Sequence, residues 1–215
     1  MSNSIAQNIN IIRQNLPDNV QLVCVSKYYP VEAIRQAYDA GERNFGESRL
    51  QELKQKAAVL PHDIKWHFIG HLQRNKVRDV VGLAYLIHSV DSLRLIEAIE
   101  RVAAEKNIVQ KCLLEIHIAQ EQTKSGFTPH EFAELIRTTD FNNFPHVEIC
   151  GLMGMASNTD NQEQIRQDFS LLKSLATLSG LKTLSMGMSD DYRIAIEQGS
   201  TMVRIGSAIF EDLKI

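Results

Sequence analysis

Two groups of residues in this chain could do chemistry together, and they lie at opposite ends of it. Near the start, the stretch VCVSKYYP, Val23 to Pro30, is an apolar run that ends on Lys27. Burial among apolar neighbours favours the neutral amine, the form that attacks an aldehyde and closes a Schiff base. Near the other end lie SMGMS, Ser185 to Ser189, and RIGS, Arg204 to Ser207. Gly187 and Gly206 let backbone amides come close to an anion, while Ser185, Ser189, Ser207 and a following helix start supply further donors, the makings of a phosphate cup. Within MVRIG, the permanently charged Arg204 needs an acceptor at the end of a buried strand. One acceptor that suits it is the ring nitrogen of a pyridine cofactor, which it would hold unprotonated, making the ring a poorer electron sink than a carboxylate partner would. The alternatives are a surface lysine at a strand end for Lys27 and, for Arg204, an ion pair with a carboxylate such as Glu115. Asp190 and Asp191, which follow the first loop, suit the first turn of a helix and can face solvent.

Residue 27 must be brought beside residues 185–207 for any of this to matter. Short apolar runs alternate with longer amphipathic stretches, the pattern of a parallel sheet with crossover helices. Strands are expected at Leu22 to Ser26, Arg43 to Gly46, Lys65 to Ile69, Leu83 to Val90, Cys112 to Ala119, Glu148 to Met153, Thr183 to Met186 and Met202 to Ile205. Between them, TPHEFAELI carries a helix start: Thr128 as cap, Pro129 at the first position and Glu131 to complete a capping box. Ile165, Phe169, Leu172 and Ala176 line one face of the following helix, and Ile5, Ile9, Ile12 and Leu16 mark an opening amphipathic helix. Eight strand and helix alternations without a linker or a shift in composition predict an α/β fold, a single (β/α)8 TIM barrel over residues 1–215 with an extra N-terminal helix. In such barrels catalytic groups come from the C-terminal strand ends, and phosphate sites from the loops after the last two strands. Lys27 follows the first strand, SMGMS the seventh and RIGS the eighth.

The formal charge of −3 over 215 residues is small and mixed, which argues against a nucleic-acid partner or a polybasic membrane patch. No run approaches the roughly 18 apolar residues of a membrane span, and the N-terminus lacks the basic and apolar regions of a signal peptide. Cys24, Cys112 and Cys150 form no CxxC pair and sit in apolar runs, so they read as buried thiols of a reducing compartment and the protein as cytoplasmic. His62, His71, His88, His117, His130 and His146 are too scattered for a metal site and read as surface or strand-end groups.

The segments VSKYYPVEAI, NFGESRLQE, WHFIGHLQRNK, HSVDS, TKSGF, GLMGMA, SMGMSDD and AIEQGSTMVRIGSAIF run in order from about residue 22 to residue 210. In these the chain resembles the pyridoxal phosphate homeostasis protein family, which is related to the N-terminal barrel of alanine racemase. The resemblance implies a monomeric or weakly associating (β/α)8 barrel that holds pyridoxal 5'-phosphate as an aldimine on Lys27. Asn44 would line the cofactor, Ser185, Ser189, Gly206 and Ser207 would hold its phosphate, Arg204 would face the pyridine nitrogen, and His67 and Gly70 would lie at the third strand's mouth. Glu211 stands where the family has a glycine, and Ser48 where it has an asparagine.

The implied role is binding, storing or delivering the cofactor in vitamin B6 homeostasis, with apo-enzymes that need it as acceptors and no evident catalytic turnover. An amino-acid racemase is the alternative. It needs bases on both faces of a carbanion, and in alanine racemase the second is a tyrosine from another domain. This chain is expected to end at the barrel, leaving Tyr28 or Tyr29 as the only tyrosines beside Lys27 to oppose it, with packing beside the ring their other role. A Schiff-base aldolase acting on a sugar phosphate would also use lysine, cup and barrel, but has no need of Arg204 at a ring nitrogen.

Overall fold

Leu22, Val23, Cys24 and Val25 are all apolar, as a parallel strand covered on both faces requires. In the computed structural model, which describes residues 4–121 and 123–211, they belong to the first of eight strands. The strands are β1 (Gln21–Val25), β2 (Asn44–Glu47), β3 (Lys65–Phe68), β4 (Leu86–Val90), β5 (Gln110–Ile116), β6 (Val147–Gly154), β7 (Thr183–Ser185) and β8 (Met202–Ile205). The helices are α1 (Ile5–Gln14), α2 (Val31–Asp39), α3 (Leu50–Ala57), α4 (Val77–Val80), α5 (Leu93–Glu105), α6 (Pro129–Thr138), α7 (Gln162–Ser179), α8 (Tyr192–Glu197) and α9 (Ser207–Phe210). All strand pairs are parallel and follow chain order, and β8 returns to β1 with Arg204 opposite Val23, closing the barrel. The expected TIM barrel and its extra N-terminal helix are therefore present. The largest boundary differences, three residues each, are at the start of β4, which begins at Leu86 rather than Leu83 because the chain first turns at Gly82, φ +83°, and at the end of β5, which stops at Ile116 rather than Ala119.

Side chains alternate across each strand, and here the alternation separates two cores. Outward residues such as Leu22, Cys24, Phe45, Trp66, Ile87, Leu114, Leu152 and Val203 pack with the helices. Inward, Val23, Leu86, Leu113, Met153 and Met202 form a small apolar plug. Two residues further along the same faces the interior turns polar: Leu86 gives way to His88, Leu113 to Glu115 and Met202 to Arg204, all buried.

Local signals act as expected. The Thr128 hydroxyl accepts from the Glu131 N–H while the Glu131 carboxylate accepts from the Thr128 N–H, completing the box that starts α6. Ile165, Phe169, Leu172 and Ala176 are buried on α7, and Gly180 ends that helix in the left-handed conformation. At the start of the described chain, Ser4 and Gln7 form a second capping box, and Asn8 Nδ2 donates to the Ile209 carbonyl at 3.0 Å, tying α1 to α9. Cys24 and Cys112 are buried as expected, but Cys150 is only half-buried, because the sheet register shifts where β6 passes Cys112 of β5. Among the described residues, no helix is long and apolar enough to cross a membrane, and no group of His, Cys, Asp and Glu could hold a metal ion.

Candidate functional site

A cavity of about 340 Å³ opens at the C-terminal ends of the strands, and Lys27, Ser48, Ser189, Arg204, Gly206 and Ser207 are on its wall. The two ends of the sequence do meet. A larger groove of about 870 Å³ lies outside the barrel between Gln73–Asn75 and α5, among polar side chains. The smaller cavity is the candidate site because it combines a lysine with the loops after β7 and β8.

Lys27 is half-buried rather than enclosed. The strand ends at Val25, so the side chain leaves the apolar layer and reaches the mouth, less covered than its neighbours in sequence suggest. It is the second residue of a turn closed by the Tyr29 N–H donating to the Ser26 carbonyl at 3.1 Å. Tyr28 follows with φ 70° and is 66% exposed, its ring 5.8 Å from Lys27 Nζ and 5.0 Å from the Arg49 guanidinium. Tyr29 stacks on Phe210 with ring centroids 4.6 Å apart and donates its hydroxyl to Glu211 Oε1 at 2.8 Å. Burial and that carboxylate push its phenol up to about 12.

The cup opposite is built by two loops. Gly187, φ +98°, allows the chain to fold tightly after β7: a Cβ there would stand 2.7 Å from the Ala195 side chain and 2.9 Å from the Tyr192 backbone. Ser189 follows, and its hydroxyl accepts from the Ala208 N–H at 3.4 Å, joining the two loops. Ser207 opens α9 behind an N-cap glycine, Gly206, which has no side chain to cap it, so of the first amides the Ala208 N–H is taken by Ser189 from the neighbouring loop and that of Ser207 has no partner within the helix. Asp190 is exposed at the rim, as expected. Asp191 is half-buried at the N-cap of α8 and accepts from the Met188 N–H at 2.5 Å, and burial raises its carboxyl above the usual range.

Arg204 forms the floor and is 5% exposed. Among the described residues it has no carboxylate within ion-pair distance, so the expected alternative of a salt bridge to Glu115 is not formed. Its charge is met by dipoles instead: Nη1 donates to the Ser185 carbonyl and hydroxyl, both at 2.7 Å, and Nη2 to the Gly154 carbonyl at 3.2 Å. Burial pulls its pKa down to about 10, which leaves it cationic at neutral pH.

Below Arg204 runs a buried polar chain that takes in three residues expected at the mouth. Gln21 Nε2 donates to Asn44 Oδ1 at 2.7 Å, and His67 Nε2 lies 3.2 Å from the same oxygen, so it must donate too. A neutral imidazole has a single N–H, so His67 Nδ1 accepts from His88 Nε2 at 2.9 Å, His88 Nδ1 accepts from the Ser185 hydroxyl at 3.0 Å, and Ser185 Oγ accepts from Arg204. One set of tautomers satisfies every link. Burial holds His67 down at about 3 and His88 well below the ordinary imidazole value, with His67 and Arg204 adding to the effect on His88.

Of the seven expected site residues, the structure thus gathers Lys27, Ser189, Arg204, Gly206 and Ser207 at the cavity and leaves two off its wall. Asn44 opens β2 at the far end from the mouth, and Ser48, four residues on, lines the cavity in its place. Ser185 is fully buried, with its hydroxyl committed to Arg204 and His88. His67 is likewise interior, and His88, expected at a strand end or surface, is completely buried. Gly70 serves a close crossing: a Cβ there would meet the Ser48 carbonyl oxygen at 2.0 Å.

Residues 2–213 match the family model for the alanine racemase N-terminal domain. The pyridoxal phosphate homeostasis protein of Aquifex aeolicus is 40% identical over 201 residues, covering 90% of this chain and 87% of the relative. That of Synechocystis is 40% identical over 205 residues, 92% and 93%. The chain belongs to the pyridoxal phosphate homeostasis protein family. PipY of Synechococcus elongatus, solved with PLP bound, superposes on this homeostasis-family barrel with a TM-score of 0.85 at 36% identity, over 96% of this chain and 100% of PipY. Without PLP the TM-score is 0.90. Alanine racemase of Clostridium difficile, at 14% identity, shares the fold alone: TM-score 0.81 over 99% of this chain and 57% of the racemase.

Proposed function

We propose that this chain binds pyridoxal 5'-phosphate in the 340 Å³ cavity and holds it as an aldimine on Lys27, keeping the cofactor in reserve for apo-enzymes rather than turning over amino acids. The observation that carries the reading is the convergence on one small cavity of an amine, a serine-lined cup at a helix start and a guanidinium on the floor. These groups fit the aldehyde, the phosphate and the ring nitrogen of that one molecule. PipY, 36% identical, has been solved with PLP.

In this assignment Lys27 supplies the amine. Ser189, Ser207 and the Ser207 amide at the start of α9 hold the phosphate, with Gly206 keeping the approach open. Arg204 donates to the ring nitrogen and leaves it unprotonated. Bound pyridoxal phosphate supplies an electrophilic carbon and an electron sink, and an arginine at its nitrogen weakens the sink. Tyr29 is a poor second base: its phenol, at about 12, stays protonated and already donates to Glu211. Both points favour a reservoir over a racemase.

The test is to add pyridoxal phosphate to the purified protein and to a Lys27→Ala variant, reduce with borohydride and map the adduct by mass spectrometry. A covalent adduct on Lys27 that the variant lacks is expected. No adduct, or one independent of Lys27, overturns the assignment. Incubation with alanine in heavy water separates reservoir from racemase: exchange of the α-hydrogen faster than with free cofactor would establish the enzyme.

A further inference from the structure

Lys27 sits in a turn whose conformation the local sequence does not favour. Turns with positive φ at the third position ordinarily carry glycine or asparagine there. Tyr28 occupies it with φ 70°, a strained state for a bulky side chain. Lys27 is the residue before, so its direction depends on the two peptide groups that flank it.

Both are gripped from outside the turn. On one side, Lys56 Nζ, from α3, donates to the Ser26 carbonyl at 2.9 Å. On the other, the Tyr28 N–H donates to Glu52 Oε2 at 3.0 Å, and Glu52 lies one turn before Lys56 on the same helix. Lys56 Nζ also donates to Glu47 Oε1 at 2.8 Å and to Glu52 Oε2 at 3.0 Å, so all three of its hydrogens are used. The Ser26 hydroxyl donates to Glu47 Oε1 at 2.6 Å, binding the turn to β2. Lys56 is 6% exposed and Glu47 fully buried, and neither is on the cavity wall. An ammonium taken out of water needs this full set of partners to remain there, and all three belong to the Lys27 turn or touch it directly: Ser26 is its first residue, Glu52 takes the Tyr28 N–H and Glu47 the Ser26 hydroxyl.

We propose that Glu52, Lys56 and Glu47 are positioning residues that hold the left-handed turn and so aim Lys27 into the cavity. This rests on the reading of Lys27 as the reacting amine. The competing role is plain anchoring of α3 to the sheet, and rescue at Tyr28 tells the two apart.

Glu52→Ala is the first variant, because Glu52 is partly exposed and its loss leaves the Lys56 and Glu47 pair intact. Three quantities are measured in it: the exchange rate of the Tyr28 amide hydrogen, the rate at which Lys27 captures added pyridoxal phosphate, and the competition of inorganic phosphate for the cup. Faster Tyr28 exchange and capture slowed roughly ten-fold, the size of a left-handed penalty no longer compensated, are expected, with phosphate competition unchanged. Adding Tyr28→Gly should restore most of the capture rate, since glycine takes positive φ without penalty. Lys56→Met with the same rescue is the second test. Unchanged Tyr28 exchange and capture in Glu52→Ala, or slow capture that Tyr28→Gly does not restore, overturns the proposal. If the wild type captures no cofactor at all, the cofactor reading has failed, and Tyr28 exchange still reports on the clamp.

Discussion

His67 and His88 lie buried side by side inside the barrel and are neutral, and this makes stability depend on pH in one direction. His67 is held at about 3 in the folded protein, chiefly by burial, against roughly 6.5 for an unfolded histidine. Below pH 6.5 the unfolded chain takes up protons that the folded one cannot. The contribution of each histidine is therefore complete above about pH 6.5 and shrinks as pH falls, for His67 until about pH 3; His88, held well below the ordinary imidazole value, acts in the same direction. Each costs about half of 1.4 kcal/mol per pH unit at pH 6.5 and the full amount below about pH 5.5, so going from pH 6.5 to 5 removes somewhat under about 2 kcal/mol per histidine and about 3 kcal/mol for the two. Glu47, Glu115 and Asp191 are raised by burial. Their stabilisation is present at low pH and lost as pH rises through their folded values, so on acidification they oppose the histidines. The total slope is mixed, and the difference between wild type and a variant isolates one group. Urea unfolding of wild type and His88→Gln, followed by the fluorescence of the single, buried Trp66, should give free energies that converge by somewhat under about 2 kcal/mol between pH 6.5 and 5. With a slope of about 2 kcal/mol/M, that is somewhat under about 1 M in midpoint. Parallel curves across the window would refute the claim that His88 is neutral in the fold.

Gly70→Ala places a Cβ 2.0 Å from the Ser48 carbonyl oxygen, and because backbone must move, about 3 kcal/mol or more of stability should be lost; a loss below about 1 kcal/mol in urea unfolding would contradict the crossing of these two loops. Thr128→Ala removes a working capping box and should cost about 1 kcal/mol, read as a shift in urea midpoint. Glu211→Gln should lower the Tyr29 phenol from about 12 part of the way toward its ordinary value, only part because burial is the larger cause; a phenolate absorbance titration that does not move would contradict the hydrogen bond.

The parts of the site legible in the sequence were those that depend on position along the chain. Strand number follows from apolar runs, and once the first, seventh and eighth strands are located, Lys27, Ser189, Gly206 and Ser207 fall at their exits. What escaped depends on depth and facing. NFGE is visibly a strand, but whether Asn44 or the residue after Glu47 reaches the mouth is a question of four residues, on the order of 13 Å at about 3.3 Å each, and the sequence does not mark which end is up. Ser185 is legible as the end of the seventh strand. Its neighbour across the interior is His88, 97 residues away, and only the closed barrel shows that its hydroxyl is already committed. His88 reads as a polar strand residue because a polar layer above an apolar plug leaves no periodicity of its own. Lys56, within LKQKA, looks like any lysine on a helix surface, and only its contact with Ser26 and Glu47 reveals a buried charge.

The two cationic groups on the cavity wall, Lys27 and Arg204, are each supported from outside it, and by different means. Arg204 is held from below by the carbonyls of Gly154 and Ser185, which end β6 and β7, and by a hydroxyl whose proton is committed to His88. The turn of Lys27 is held from the side by a buried ion network on β2 and α3. Neither hold requires a ligand. A guest therefore meets an amine and a guanidinium whose supports are already in place, and little ordering of these groups remains as a cost of association. The cup is held by fewer bonds: its loops are joined by the Arg204 N–H donating to the Gly187 carbonyl at 2.9 Å and the Ala208 N–H donating to Ser189 at 3.4 Å, and Ser207 at the start of α9 is exposed. On the proposed reading, an amine and a guanidinium whose supports are already in place, beside a cup with Ser207 exposed at its edge, suit reversible capture.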